Sequence, residues 1–320
     1  VKLPELLRLL SVYSGRETSV AFWHIPVACN VAGPVEGLGA YYIDFSRKVE
    51  EWRGLDAEGV PVLDYCGAIG EQYNPTAVAQ YALGAYERHL RTGEPGYRRI
   101  FLRQADWLAA NLRPRPKGFA VWEYTFDVGA YGLKAPWISA LAQGQGVSVL
   151  LRAHALTGEE RYLSAARGAF ASFNVGVEEG GVRYVDPQGN LFLEEAPSQP
   201  PSCILDGFIF SLFGVYDFWL ASGEAAMQQM WEAGLSTLEN VLPRYDLGFW
   251  SRGDLFRERP KMVASRFYHR LHVFQLQALH AMTGREIFRQ YAQRWKGYEE
   301  RWACRTAALA CKALFKLSFY

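Results

Sequence analysis

The heptapeptide RFYHRLH, Arg266 to His272, sets a tyrosine, two histidines and two arginines at the head of an apolar, helix-like run. Three kinds of chemistry fit such a head. It could be a solvated helix start whose histidines bond locally, a metal site, or an acid–base centre acting on an anion. With a helix beginning near Phe267, Tyr268 and His272 share one face with Gln275, and His269 and His272 are neighbours at i,i+3. A zinc site needs a third ligand at matching spacing. The sequence offers no HExxH and no convincing partner, so no metal and no other cofactor is expected.

Three further groups carry potential chemistry. LEEAPSQPPS places Glu194 and Glu195 at the end of an apparent β-hairpin, where a carboxylate at a cavity mouth suits acid–base work, although a solvated acidic turn reads the same way. KAPWISALAQGQG holds Trp137, Gln143 and Gln145, with Gly144 and Gly146 between and beside the glutamines. These polar groups in an otherwise apolar helix either bind sugar hydroxyls or cap a tight helix contact. Arg252, Arg257, Arg259, Lys261, Arg266 and Arg270 cluster in and after one long loop. That basic rim suits a carboxylated or sulfated glycan, and a solvated loop would have the same composition.

The elements that must position these groups come in pairs. Residues 77–90, 139–156, 202–221 and 269–282 are nearly apolar helical runs, and each is followed by an amphipathic one. The linkers recur as RTGE, LTGEE, ASGE and MTGRE. Buried inner helices alternating with amphipathic outer ones describe an (α/α) toroid of helical hairpins. Before residue 70 the texture is β-type: LGAYYIDFS reads as a strand, and GLDAEGVPVLDY as a turn into another. GGVRYVDPQGNLFLEE reads as a β-hairpin insert across DPQGN. The expected divisions are an N-terminal arm and β-rich segment over 1–70, an (α/α)-barrel catalytic domain over 71–300 and a helical tail over 301–320.

Composition narrows the partners. A formal net charge of +1 gives no electrostatic case for nucleic acid. No apolar run is long enough to span a membrane. The N-terminal VKLPELLRLL has charges inside its apolar stretch and no small-residue cleavage site, so it does not read as a signal peptide, and a cytoplasmic location is expected. Five cysteines without CxxC spacing read as free thiols. The abundant aromatic residues suit either a groove that stacks sugar rings or simply a large core.

Seven ordered segments together resemble the C-terminal catalytic domain of the D-glucuronyl C5-epimerases, in a short and prokaryotic-looking form. They are NPTAVAQYAL, ADWLAANL, WISALAQGQGVSVLLRA, EEAPSQPPSCILDGFIFSLFGVYD, LPRYD, YHRLHVFQLQAL and QRWKGY, spanning roughly residues 70–298. The resemblance implies an (α/α) barrel, commonly a homodimer, that abstracts and replaces the C5 proton of glucuronosyl residues in a heparan-like glycan. It puts the catalytic glutamate on Glu195 and a catalytic tyrosine on Tyr268. Two family tyrosines do not carry over: Ala196 and Trp250 stand in their places. His269, Tyr245, Tyr184 and Tyr124 are then candidates for the second base. Trp137, Gln143, Gln145, Trp250, Arg266, Arg270 and His272 are the expected substrate contacts. The alternatives are a polysaccharide lyase or glycoside hydrolase of the (α/α) class, or a glycan-binding protein without catalysis.

Overall fold

The computed structural model describes residues 21–65, 67–258 and 260–319. VKLPELLRLL, Cys66 and Arg259 lie outside the described residues. Four helical hairpins form the body: α2 (Pro75–Thr92) with α3 (Pro95–Asn111), α4 (Ala140–Thr157) with α5 (Glu160–Phe170), α6 (Leu205–Ser222) with α7 (Ala225–Tyr245), and α8 (Arg266–Thr283) with α9 (Glu286–Glu300). A short α1 (Ser46–Glu51) precedes them and α10 (Trp302–Phe319) follows. The chain is therefore mainly helical, as its pairing pattern predicts.

The recurring linker has a physical cause. Each first helix ends in a left-handed glycine: Gly93, Gly158, Gly223 and Gly284 have φ between 68 and 73°. Their N–H groups donate to His89, His154, Trp219 and His280 carbonyls, satisfying groups that a helix end leaves open. The preceding Thr92, Thr157, Ser222 and Thr283 hydroxyls each accept the N–H two residues on, at 3.2 Å. The [ST]G pair thus stops one helix and starts the next within three residues.

Helices α2, α4 and α6 are buried along most of their length, and successive inner helices α2, α4, α6 and α8 pack on one another. The α4–α6 crossing is backbone on backbone. A Cβ at Gly214 would lie 2.5 Å from Gly144 Cα, and one at Gly144 would lie 2.8 Å from Ser211 Cα. A buried ion pair ties the same two helices together: Arg152 Nη1 meets Asp217 Oδ2 at 2.6 Å. Tyr42 donates to Asp217 Oδ1 at 2.7 Å and Arg152 Nε donates to the Gly39 carbonyl at 2.9 Å, so the pair also holds the N-terminal segment.

That segment stands where the ring of inner helices would close. Strands β1 (Ala28–Cys29) and β2 (Ile43–Asp44) pair antiparallel and pack on α8, while β2 and α1 pack on α2. LGAYYIDFS contributes only two residues of strand before it turns into α1. A second hairpin pairs β3 (Val62–Asp64) with β4 (Glu71–Tyr73), and a third small sheet pairs β5 (Arg113–Pro114) with β6 (Ala120–Val121). The expected insert is β7 (Arg183–Val185) with β8 (Leu191–Leu193), closed across Asp186–Asn190. The described cysteines are unbridged, and among the described residues no helix is long and apolar enough to cross a membrane.

Gly214→Ala should cost about 1–3 kcal/mol or more, because rigid backbone faces the new methyl group. Gly158→Ala, which meets open space and bears only a positive φ, should cost about 1–2 kcal/mol. Urea denaturation of the two variants checks the order.

Candidate functional site

A cavity of about 220 Å³ opens among the inner helices and the N-terminal segment. Its volume is below the about 300–1,000 Å³ of pockets that enclose drug-sized ligands, which suits a single ring. Aromatic walls come from Trp23, Phe45, Tyr124, Trp137, Phe210 and Tyr268. Asn74, Thr76 and Gln80 at the start of α2 supply a polar wall, and Glu195, Asp206 and Lys48 supply its ionisable groups.

Glu195 reaches this cavity because Glu194 fixes the backbone beside it. The Glu194 side chain is 1% exposed and accepts from Ser202 N at 2.8 Å, Ser202 Oγ at 2.6 Å and Cys203 N at 3.1 Å. Its own main chain bonds Val182 and Ala140, joining β8 to β7 and to α4. Cys203 is held at a φ of 45°, unusual for a residue with a side chain, and Tyr245 donates to its carbonyl at 2.6 Å. The hairpin end, the proline-rich turn and the start of α6 are thereby locked together.

With Glu194 bound away, the next side chain turns to the cavity. Glu195 Oε2 is buried without a hydrogen-bond partner among the described residues. Space for it exists because residue 207 is glycine: a Cβ there would lie 2.0 Å from Oε2. Burial, reinforced by Asp206, Glu194 and Asp254, pushes the Glu195 carboxyl well above its ordinary pKa of 4.5. A carboxyl so placed is suited to exchanging a proton with a group bound in the cavity.

Tyr268 lines the same cavity from the first turn of α8, whose N-cap Ser265 accepts Tyr268 N at 3.3 Å. Trp137 lines it too, stacked on Tyr124 with ring centres 4.0 Å apart. Among the candidate second bases, Tyr124 is the one that reaches the cavity besides Tyr268. Its hydroxyl shares a 2.8 Å hydrogen bond with Thr76, and burial raises its pKa strongly, keeping it a neutral phenol. Tyr245 serves the Cys203 carbonyl instead, and Tyr184 lies on β7.

Several expected site residues are placed elsewhere. The His269 Nε2 lies 2.9 Å from the Trp295 carbonyl, which can only accept, so its proton sits there and Nδ1 accepts from Ser251 N at 3.2 Å. Its ring stacks on Trp250 at 3.7 Å, and burial lowers its pKa to about 3. His269 is thus a neutral strut and does not line the cavity. His272 is also fully buried, with Nδ1 2.9 Å from Ser251 Oγ and Nε2 3.6 Å from Asp206 Oδ1, behind the cavity wall. Trp250 is 2% exposed and donates to the Ala264 carbonyl, away from the cavity.

Gln143 is spent on structure: it accepts from Trp122 N and donates to the Ala120 and Ala169 carbonyls. Gln145 is fully buried beside the Tyr41 hydroxyl. The adjoining Gly146 makes room for the Trp122 ring, so the AQGQG pattern marks tight packing rather than sugar contacts. Arg266 and Arg270 both pair with Glu299 on the outer surface, and Arg252 is buried against the Arg257 carbonyl. No arginine lines the cavity among the described residues. Ala196 is buried in a small apolar cluster with Leu133 and Ile204.

Sequence reasoning missed Lys48, Asn74, Thr76, Gln80 and Asp206. Gln80 and Asp206 had a signal, each being polar within an apolar helical run. Lys48 in SRKVEE had none. Among the described residues no group of three or more His, Cys, Asp or Glu side chains could hold a metal ion.

Fold and cavity together define an (α/α) hairpin protein with an acidic, aromatic-walled pocket. The family model described as the D-glucuronyl C5-epimerase C-terminus matches residues 117–297, and the chain belongs to that family. It is 33% identical over 218 residues to an uncharacterized protein of Methanocaldococcus jannaschii, covering 66% of this chain and 68% of that one. It is 33% identical over 214 residues to the D-glucuronyl C5-epimerase of Caenorhabditis elegans, covering 62% of this chain and 34% of the worm enzyme, so it spans about a third of that protein's length. Among solved structures, an unsaturated glucuronyl hydrolase from Bacillus sp. GL1 is similar with a TM-score of 0.47 at 14% identity, over 70% of this chain and 61% of that one.

Because its folded pKa is raised, Glu195 leaves the fold most stable below about pH 4.5, and that contribution is lost as pH rises through the folded pKa. Glu195→Gln removes this dependence. Its melting temperature relative to wild type should therefore climb between pH 4 and pH 8; a constant difference would show that Glu195 titrates normally.

Proposed function

We propose that the chain inverts C5 of D-glucuronosyl residues within a glycan, with Glu195 and Tyr268 exchanging protons at the ring. The observation that carries this reading is their meeting in one ring-sized cavity of a chain in the C5-epimerase family. The C5 hydrogen lies next to a carboxylate and is very weakly acidic, so its removal needs a base held out of bulk water and stabilisation of the enediolate that forms. Glu195, ionised at a raised pKa, is the base for one face. Inversion then requires a proton from the opposite face, and the Tyr268 phenol is its donor. In the reverse direction the two exchange roles.

The polar α2 wall suits hydroxyl recognition, and the stacked Trp137–Tyr124 pair offers a flat apolar surface for a sugar face. With Ala196 and Trp250 where the family has tyrosines, the smaller set of acid–base groups falls on Glu195, Tyr268 and Asp206. Asp206 beside Glu195 also supports a second reading, a glycoside hydrolase working with two carboxyls.

Incubating glucuronosyl oligosaccharides with the chain in deuterated water separates the readings. Epimerisation places deuterium at C5 and yields iduronosyl residues; hydrolysis releases new reducing ends with C5 unlabelled; elimination creates an ultraviolet-absorbing unsaturated ring. Glu195→Gln and Tyr268→Phe should each slow C5 exchange by about 100- to 10,000-fold. The acid limb of the pH–rate profile should lie above 4.5, since only ionised Glu195 accepts the proton. Absence of C5 exchange across several glucuronosyl glycans contradicts the proposal.

A further inference from the structure

We propose that Lys48, from the N-terminal segment that closes the ring of inner helices, receives the carboxylate of the uronate in the cavity. Three structural facts carry this. Lys48 lines the cavity, and it is the one cation to do so among the described residues. It is 1% exposed, yet no carboxylate of the described residues lies within ion-pair distance of its amine. The arginines expected to hold the anion are spent on Glu299 at the outer surface.

The surroundings of Lys48 poise it for an incoming anion. Nζ donates to the Phe22 carbonyl at 2.6 Å and lies 4.0 Å from the Phe22 ring centre, with Trp23 and Phe45 at 5.8 Å. A carbonyl and three ring faces solvate an ammonium only in part. An unpaired buried charge is costly, and a ligand carboxylate is the counter-ion that removes the cost. The titratable groups sharing the cavity are Glu195, Asp206, Tyr65, Tyr124 and Tyr268, and His24 of the adjoining segment turns its ring to Phe267. Burial lowers the Lys48 pKa to about 7, so the amine is largely neutral at pH 8 and becomes charged when a carboxylate binds.

Lys48 lies outside the 117–297 stretch that the family model matches. The inference rests on the epimerase reading for the identity of the ring, and on the cavity alone for its acidity. A cation at that carboxylate would also stabilise charge developing there as C5 is deprotonated, so it serves positioning and the reaction together.

The test is calorimetric titration of the whole chain at pH 8 with a glucuronosyl disaccharide and its carboxyl-reduced counterpart, in buffers of different ionisation enthalpy. Wild type should prefer the acid by about tenfold or more, with a net proton uptake through Lys48. Lys48→Met should lose the preference and that uptake. Lys48→Arg should keep much of the preference without the uptake, a split that a merely structural role would not produce. Lys48→Met also leaves the Phe22 carbonyl without its donor, so it should melt somewhat lower than wild type, and its binding is compared at a temperature where thermal melting shows it folded.

A folded Lys48→Met that retains the preference and the uptake overturns the assignment. Wild type that binds both disaccharides equally overturns it without any variant. Wild type that exchanges deuterium at C5 without a Lys48-dependent preference contradicts this inference and leaves the proposed function standing; preference without exchange does the reverse.

Discussion

The grip of the Glu194 carboxylate on the backbone at Ser202 and Cys203 is the interaction on which the cavity depends. The two adjacent acidic residues follow β8 directly, and their side chains go to different partners. Binding one of them into the proline-rich turn aims the other inward. Burial raises the pKa of both, but Glu194 has several donors to hold its charge, while Glu195 has an unpartnered oxygen and acidic neighbours. One sequence pair therefore yields a carboxylate bound into the scaffold and one left unpartnered at the cavity, with glycine at 207 as the condition that lets the second fit.

The rest of the scaffold brings partners to that carboxylate. Glycines at 144 and 214 allow α4 and α6 to cross backbone to backbone, and Arg152 with Asp217 fixes the same crossing while holding Tyr42 and Gly39 of the N-terminal segment. Such a buried pair gains little net energy over apolar packing, but losing either half strands a charge. It thereby couples the helical body to the segment that closes the ring and carries Lys48. On the far side, His269 and His272 share Ser251 and bind the long loop to α8 and α9. That arrangement seats Tyr268, one residue before His269, in the cavity wall.

The helical hairpins were legible because each obeys one local rule: apolar run, [ST]G stop, amphipathic run. Helix capping and burial are short-range or periodic, so the letters display them. The short N-terminal strands were less so, since two-residue pairings leave almost no alternation to read. Among the residues lining the cavity, Glu195, Tyr268 and Trp137 carried marks of residue type and neighbouring motif. His269, Gln143, Gln145 and Trp250 carried the same marks and are structural, because a buried polar side chain satisfied by backbone looks in sequence like one waiting for a ligand. Arg266 and Arg270 were misjudged for a related reason: their partner Glu299 lies 29 or more residues away. Lys48 shows the converse, a cavity-lining cation whose place there arises wholly from tertiary burial.

If the cavity shared by Glu195 and Tyr268 receives a uronate ring for chemistry at C5, a bound glycan must enter it. The most direct measurement is a crystal structure of the Glu195→Gln chain with a glucuronosyl oligosaccharide. The ring should lie in this cavity, with C5 about 3–3.5 Å from the residue 195 side chain or the Tyr268 hydroxyl. A uronate ring ordered at any other site, with this cavity empty, would contradict it.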